Sequence, residues 1–335
     1  MANLKEAHTF LNSFLNTDAR NFVRTVMTKN YAHAIQVHHP QPKFLNNTLV
    51  SSKCHHLVDS TFQRIAQIQS SPEKLFPLFA QLSRKQSEKD AIWFDEFTSA
   101  YQAYKHQHKL RSRYEKIRSF LKGSSYCDVG CGGGNFAAFL QRKHPLFKRV
   151  AGIDTMDWRT ETIKDEIDFQ VLDFSQVDTA SSISYETMSC FAVLHHVGNT
   201  DAAQGVFLRN LYNSLAPGGR LIVLEDVILP KEELANLPYL SEQISHLCSQ
   251  QAILADFLNL DAHTQRDCIV LIDFLANALA VGVPDMPFPC GFRTLKSWVD
   301  FFPRYGFALA KVKIAGFVPT NFNQSSHVYF VLDKL

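Results

Sequence analysis

A short apolar run, Ser125-Tyr126-Cys127-Asp128-Val129, passes directly into Gly130-Cys131-Gly132-Gly133-Gly134, and a helical pattern resumes over residues 136–142. This is the most restrictive feature of the chain. Glycines after a strand let the backbone turn tightly and leave no Cβ between peptide and ligand. The following helix then offers its free N–H groups and partial positive charge. In a dinucleotide enzyme such a turn holds pyrophosphate, but the GxGxxG register is missing, because its sixth position is Asn135.

The rest of the chain sorts around this loop. Further strands are expected over residues 149–153, 169–172, 187–193 and 220–224, with a helix over 202–215 and a turn at Ala216-Pro217-Gly218-Gly219. Strands alternating with helices specify a parallel sheet of βαβ units. A helix over 294–302 and two strands, 307–315 and 327–332, close the chain, the two joined by a polar loop at 316–326. Residues 1–120 read as helical throughout, in segments 4–37, 55–69, 73–86 and 89–120. Prolines mark breaks near 39–42 and 70–72. Residues 231–290 read as a second helical stretch, inserted after the fifth strand. The expected domains are therefore 1–120, a helical region covering the site, and 121–335, an α/β domain carrying the 231–290 insertion.

Acidic residues at later strand ends sharpen the site. Asp154 closes the second strand about 20 residues past the loop, where a carboxylate can accept from both hydroxyls of a ribose. Asp173 closes the third strand and precedes Phe174, a pairing that suits an adenine amino group and ring. Asp173 can equally cap a helix. Together they describe an adenosine site without a diphosphate.

Five stretches in order, D-V-G-C-G-G-G at 128–134, G-I-D at 152–154, L-D-F at 172–174, C-F-A-V-L-H-H-V at 190–197 and L-A-P-G-G-R-L-I-V-L-E-D at 215–226, resemble the class I S-adenosylmethionine (SAM)-dependent methyltransferases. The resemblance covers roughly residues 121–335. It implies a Rossmann-like, seven-stranded, mostly parallel sheet with a closing antiparallel pair, and SAM as cofactor. It also implies that Gly130 and Gly132 pass beside the methionine part, Asp154 holds the ribose, and Asp173 with Phe174 meets the adenine. Phe191 and Leu194 then line the cofactor floor. Asp128 either contacts the cofactor or caps the loop through its amides.

Methyl transfer is an in-line displacement that needs alignment above all, and a base only where the acceptor must lose a proton early. His195-His196 follows the fourth strand at the carboxyl edge of the sheet, where an imidazole can take a proton near neutral pH. Glu225-Asp226 ends the fifth strand at the same edge. His195, His196 and Glu225 are the candidate catalytic residues, with a structural role as the alternative. Leu254, Phe257, Leu258, Leu271, Phe274 and Leu275 of the insertion form either a lid over an apolar acceptor or ordinary packing. No HExxH spacing occurs, and adjacent histidines on a helix point about 100° apart, so no metal is expected.

Charge is uneven: 17 Lys and Arg against 9 Asp and Glu in residues 1–120, and 17 against 23 in the remainder. That asymmetry fits an anionic acceptor, a nucleic-acid surface or simply a solvated helical face. Residues 105–118 hold six Lys and Arg with Tyr104 and Tyr114 interleaved, which keeps an RNA methyltransferase as an alternative. No Asn/Asp-Pro-Pro-aromatic motif follows the fourth strand, which speaks against that alternative. A methyltransferase-like binding protein without turnover is the third reading. Seven cysteines without a CxxC pair argue for a reducing compartment, hence the cytosol. No apolar run is long enough for a transmembrane helix. The leading expectation is an enzyme methylating a small organic acceptor at O, N or C.

Overall fold

The computed structural model describes residues 4–38, 47–82, 109–176, 184–277, 291–317 and 325–335. The expected break at 39–42, Tyr104 with the start of the basic stretch, the last part of the insertion and most of the 316–326 loop lie outside these residues.

In chain order, four helices come first: α1 (Leu4–Leu15), α2 (Thr17–His38), α3 (Asn47–Gln67) and α4 (Leu75–Leu82). After α5 (Leu110–Ile117) the α/β alternation begins with β1 (Ser125–Val129), α6 (Asn135–Lys143), β2 (Arg149–Asp154) and β3 (Asp168–Val171). It continues through β4 (Tyr185–Phe191), α7 (Leu194–Val197), α8 (Asp201–Asn213) and β5 (Leu215–Ile228). Next come α9 (Lys231–Leu234), α10 (Pro238–Gln250), α11 (Ala252–Asn259) and α12 (Ala262–Leu275). The chain ends with β6 (Arg293–Thr294), α13 (Leu295–Phe301), β7 (Phe307–Gly316) and β8 (His327–Lys334).

These elements form two compact units. One comprises Leu110–Val227, Gly291–Ala315 and His327–Leu335, the other Met1–Lys109, Ile228–Cys290 and Gly316–Ser326. The first holds the sheet, ordered β3-β2-β1-β4-β5-β8-β7, with the two-residue β6 added beside β5. The strands β1 to β5 pair in parallel, and β8 runs antiparallel to β5. The expected seven-stranded sheet is thus present with one short extra strand. Tyr126, Phe136, Phe147, Phe191, Ile222, Leu224 and Tyr329 are buried together on one of its faces.

Three boundaries differ from the sequence reading. The segment 4–37 is two helices, because Asn16 Oδ1 accepts from the amides of Asp18 (3.1 Å) and Ala19 (3.2 Å) and so starts a new one. The residues 216–219 are not a free turn but an irregularity within β5, where the register against β4 jumps from Tyr185↔Leu215 to Thr187↔Arg220. The strand β4 stops at Phe191, because Ala192 takes φ +58° and turns the chain out of the sheet.

In the helical unit, α12 is buried over eleven of its residues, from Thr264 to Leu275. A helix buried on nearly every side must be surrounded by other elements. Phe274 meets Phe10 (4.5 Å between centroids) and Phe79 (5.2 Å), and the Tyr31 hydroxyl donates to the Leu275 carbonyl at 3.2 Å. Leu254, Phe257, Leu258, Leu271, Phe274 and Leu275 are all buried. No helix among the described residues is long and apolar enough to cross a membrane. The cysteines 54, 127, 131, 190, 248 and 268 are free thiols.

Candidate functional site

The strand order reverses between β1 and β4, which opens a crevice outside the carboxyl ends of those two strands. The glycine loop leaves β1 at that crevice. Its path is fixed by backbone bonds: the amides of Gly130 and Cys131 both donate to the Ile153 carbonyl, at 2.8 and 3.2 Å. The Gly132 amide donates to Asp154 Oδ2 at 2.7 Å. A carboxylate at the end of β2 therefore holds the middle of the loop that follows β1. Burial raises the Asp154 carboxyl above the usual carboxylate range, against the pull of the amides of Gly132, Met156 and Thr155.

Two glycines differ in a telling way. Gly130 (φ +70°) has no space for a side chain, since a Cβ would stand 2.3 Å from Val193 Cγ2. Gly132 (φ +56°) has no neighbouring atom within 4 Å of that position. The loop thus leaves an open cradle above Gly132, which fits the close approach of a small ligand to the backbone.

Asp128, also at the end of β1, is buried and accepts a short hydrogen bond from the Ser189 hydroxyl. Ser189 is paired with the Tyr126 hydroxyl. Burial pushes the Asp128 carboxyl up to about 6, with the Ser189 bond and the Arg113 charge opposing and Asp154 adding to the rise. The Arg113 guanidinium of α5 lies 4.6 Å above the Phe191 ring and 5.4 Å from Phe136, and also bonds Tyr329. In the sequence Arg113 stands out only as part of the basic stretch 105–118. Its cluster partners lie too far along the chain for spacing to reveal them.

At the end of β3, the Leu172 amide donates to the Asp154 carbonyl at 2.8 Å, which brings Asp173 to the same edge. Asp173 Oδ1 accepts from the Ser175 amide (2.9 Å) and hydroxyl (2.6 Å), a local turn of the kind expected of a cap. Phe174 is buried with its ring 5.7 Å from Phe207, and its carbonyl accepts from Asn210 Nδ2 at 2.8 Å. Met156 and Trp158, just beyond Asp154, are instead exposed apolar side chains. Leu194 is buried completely, and Phe191 nearly so.

Past β4, Ala192 sits in the left-handed region, which costs a non-glycine residue about 1–2 kcal/mol. Strain of this kind concentrates at functional sites. The short helix α7 follows. Glu225 Oε1 accepts from the amides of Val193 (3.2 Å) and Leu194 (2.8 Å), while its Oε2 lies 2.5 Å from His195 Nδ1. Both side chains are fully buried. His195 stacks on Phe292 with centroids 4.6 Å apart, and His196, half-buried, lies 4.2 Å from His195. The structure thus joins His195 to Glu225, and Glu225 to the turn that carries both histidines.

A second histidine–carboxylate pair was not singled out from sequence. Asp226 pairs with His327 across β5 and β8, and His327 Nε2 lies 2.9 Å from Asp226 Oδ1. Side chains alternate along a strand, so Asp226 shares the face of Leu224, and His327 that of Tyr329, at the carboxyl edge. Glu225 projects to the opposite face.

Residues 101–257 match a family model described as a methyltransferase domain. A ubiquinone biosynthesis O-methyltransferase of Neisseria meningitidis is 27% identical over 118 residues, which are 33% of this chain and 47% of that protein. One of Xanthomonas euvesicatoria is 27% identical over 121 residues, 34% of this chain and 48% of that protein. The chain spans about half the length of these curated relatives. Among solved structures, the pyocyanin biosynthetic protein PhzM superposes with a TM-score of 0.49 at 16% identity, over 82% of this chain and 68% of that one.

Proposed function

From the premise that the chain belongs, through its methyltransferase domain, to the class I SAM-dependent methyltransferases, we propose that it methylates an oxygen of a small organic acceptor. The observation that carries the cofactor side is the Asp154–Gly132 bond beside an open cradle at the strand reversal. SAM, when bound, supplies an electrophilic methyl on a sulfonium. In this reading Asp154 accepts from the ribose hydroxyls, and the bare backbone at Gly132 lets the methionine chain pass. Asp128 and Arg113, of opposite charge on one face of the sheet, suit the ammonium and carboxylate of its amino-acid end. Met156 and Trp158 offer exposed apolar surface to the adenine, with Asp173 accepting from its amino group and Phe174 packing from below. Phe191 and Leu194 support the floor.

On the acceptor side, Glu225 fixes the turn and orients His195, which places His196 at the edge of the crevice. Asp226 and His327 form a second group able to hold or take a proton. The oxygen acceptor is supported by these pairs and by relatives that are named O-methyltransferases. The RNA alternative is weakened by the lack of an Asn/Asp-Pro-Pro-aromatic motif after the fourth strand. The test is incubation of the complete chain with methyl-labelled SAM and fractionated cell extract. Label in a low-molecular-mass fraction, stable to ribonuclease, is the expected result. Label confined to RNA, or in no fraction, would exclude the small-acceptor reading.

A further inference from the structure

Tyr126, Ser189 and Asp128 form a continuous line of buried hydroxyl and carboxyl groups on adjacent strands, ending at the glycine loop. Resting on the cofactor reading above, we propose that Ser189 and Tyr126 are positioning residues. They aim the Asp128 carboxylate at the ammonium of the cofactor's amino-acid end, and they set the pH below which cofactor binding releases a proton from it.

The donor inventory fixes the direction of the line. An ionised carboxylate only accepts, and a serine hydroxyl has one hydrogen. Ser189 therefore spends its proton on Asp128, so the Tyr126 hydroxyl must donate to Ser189. If Asp128 is protonated, the carboxyl becomes a donor and the line can reverse. Ser189 and Asp128 are register partners across β4 and β1, and Tyr126 lies two residues before Asp128 on the same face. The geometry is thus set by the sheet and not by a loop. A fully buried tyrosine and serine linked in line to one carboxylate are an uneconomical way to fill space, since an apolar pair would fill it without any need for hydrogen bonds.

The surroundings of Asp128 bear on its charge from every side. Among the described residues, Arg113 of α5 is the cation acting on it, and Asp154 of β2 is a like charge. Cys127, Cys131 and Cys190 are held protonated by burial, as is Tyr126, so none adds charge at neutral pH. Burial outweighs the rest and leaves the carboxyl near 6. An arriving ammonium favours the carboxylate form, so binding must expel whatever proton is present. The sign follows: affinity is full above that value and falls as the pH drops through it. For one proton and a carboxyl near 6, the affinity at pH 5 is about tenfold weaker than at pH 7.

The probe is S-adenosylhomocysteine, titrated calorimetrically into the complete chain between pH 5 and 7 in buffers of differing ionisation enthalpy. The wild type is expected to release most of one proton at pH 5.5 and almost none at pH 7. Asp128→Asn should bind more weakly and lose the pH dependence. Ser189→Ala removes the bond that favours the carboxylate, so its midpoint should move to higher pH. Ser189→Thr, which keeps the hydroxyl, should restore it, and Tyr126→Phe should shift it in the alanine direction by less. Should the alanine variant fail to fold, the threonine and phenylalanine variants still decide the matter. Normal binding with a flat pH profile, or variants that superpose on the wild type, would overturn the relay alone. No binding at any pH would overturn the cofactor reading and the relay with it.

Discussion

Gly130 and Gly132 are two residues apart and both have positive φ, yet the structure asks different things of them. Alanine at Gly130 meets both the strained dihedral and the Val193 side chain, an expected loss of about 2–5 kcal/mol of stability. Alanine at Gly132 meets only the strain, about 1–2 kcal/mol, but fills the cradle. Chemical denaturation and S-adenosylhomocysteine titration of both variants should therefore separate: Gly130→Ala mainly unfolds, Gly132→Ala mainly stops binding. Equal stability losses with equal binding would contradict this assignment. The place of Asp154 at the end of β2, beside the glycine loop, was legible from sequence because both lie within one βαβ unit. Ser189, Arg113 and His327 were not, because their partners are brought in from other strands by the sheet order. Nothing in the spacing of His327 marks it as facing Asp226.

At the level of elements, the segment after β4 depends on one side chain of α8. Gln204 Nε2 shares its two hydrogens among the carbonyls of Leu194 (3.0 Å), Gly198 (3.0 Å) and Gly291 (2.9 Å), and its Oε1 accepts from Arg293 at 2.6 Å. Buried carbonyls left without a donor cost about 1–3 kcal/mol each. Gln204→Leu should thus speed amide hydrogen exchange across residues 194–198 and lower stability by about 3 kcal/mol, with β1 and β2 unaffected. Exchange in 194–198 equal to that of the wild type would show that the turn is held otherwise. The parallel strands were legible because alternating apolar runs and helices leave little choice of topology. The helix break at Asn16 and the bulge at 216–219 were harder to see, because each rests on a local backbone geometry that periodicity does not encode. Glu225 and Asp226 were placed at the strand end, and β5 in fact runs past them to Ile228, although its pairing with β8 ends at Asp226.

Across the whole molecule, the sheet unit and the helical unit share one chain that passes between them repeatedly. The residues after the fifth strand were legible as a helical insertion. That α12 forms the centre of the unit containing α1 and α2 was not, since the contact of Phe274 with Phe10 joins segments with β1 to β5 between them in sequence. The account of function rests on one claim, that the loop after β1 and the carboxylate ending β2 together hold an adenosyl ligand. Calorimetric titration of the complete chain with S-adenosylhomocysteine tests it most directly. Saturable one-to-one binding by the wild type, weakened at least about tenfold (1.4 kcal/mol) in a folded Asp154→Ala variant, is the predicted result. Absence of binding by the wild type, or equal affinity in Asp154→Ala, would contradict it.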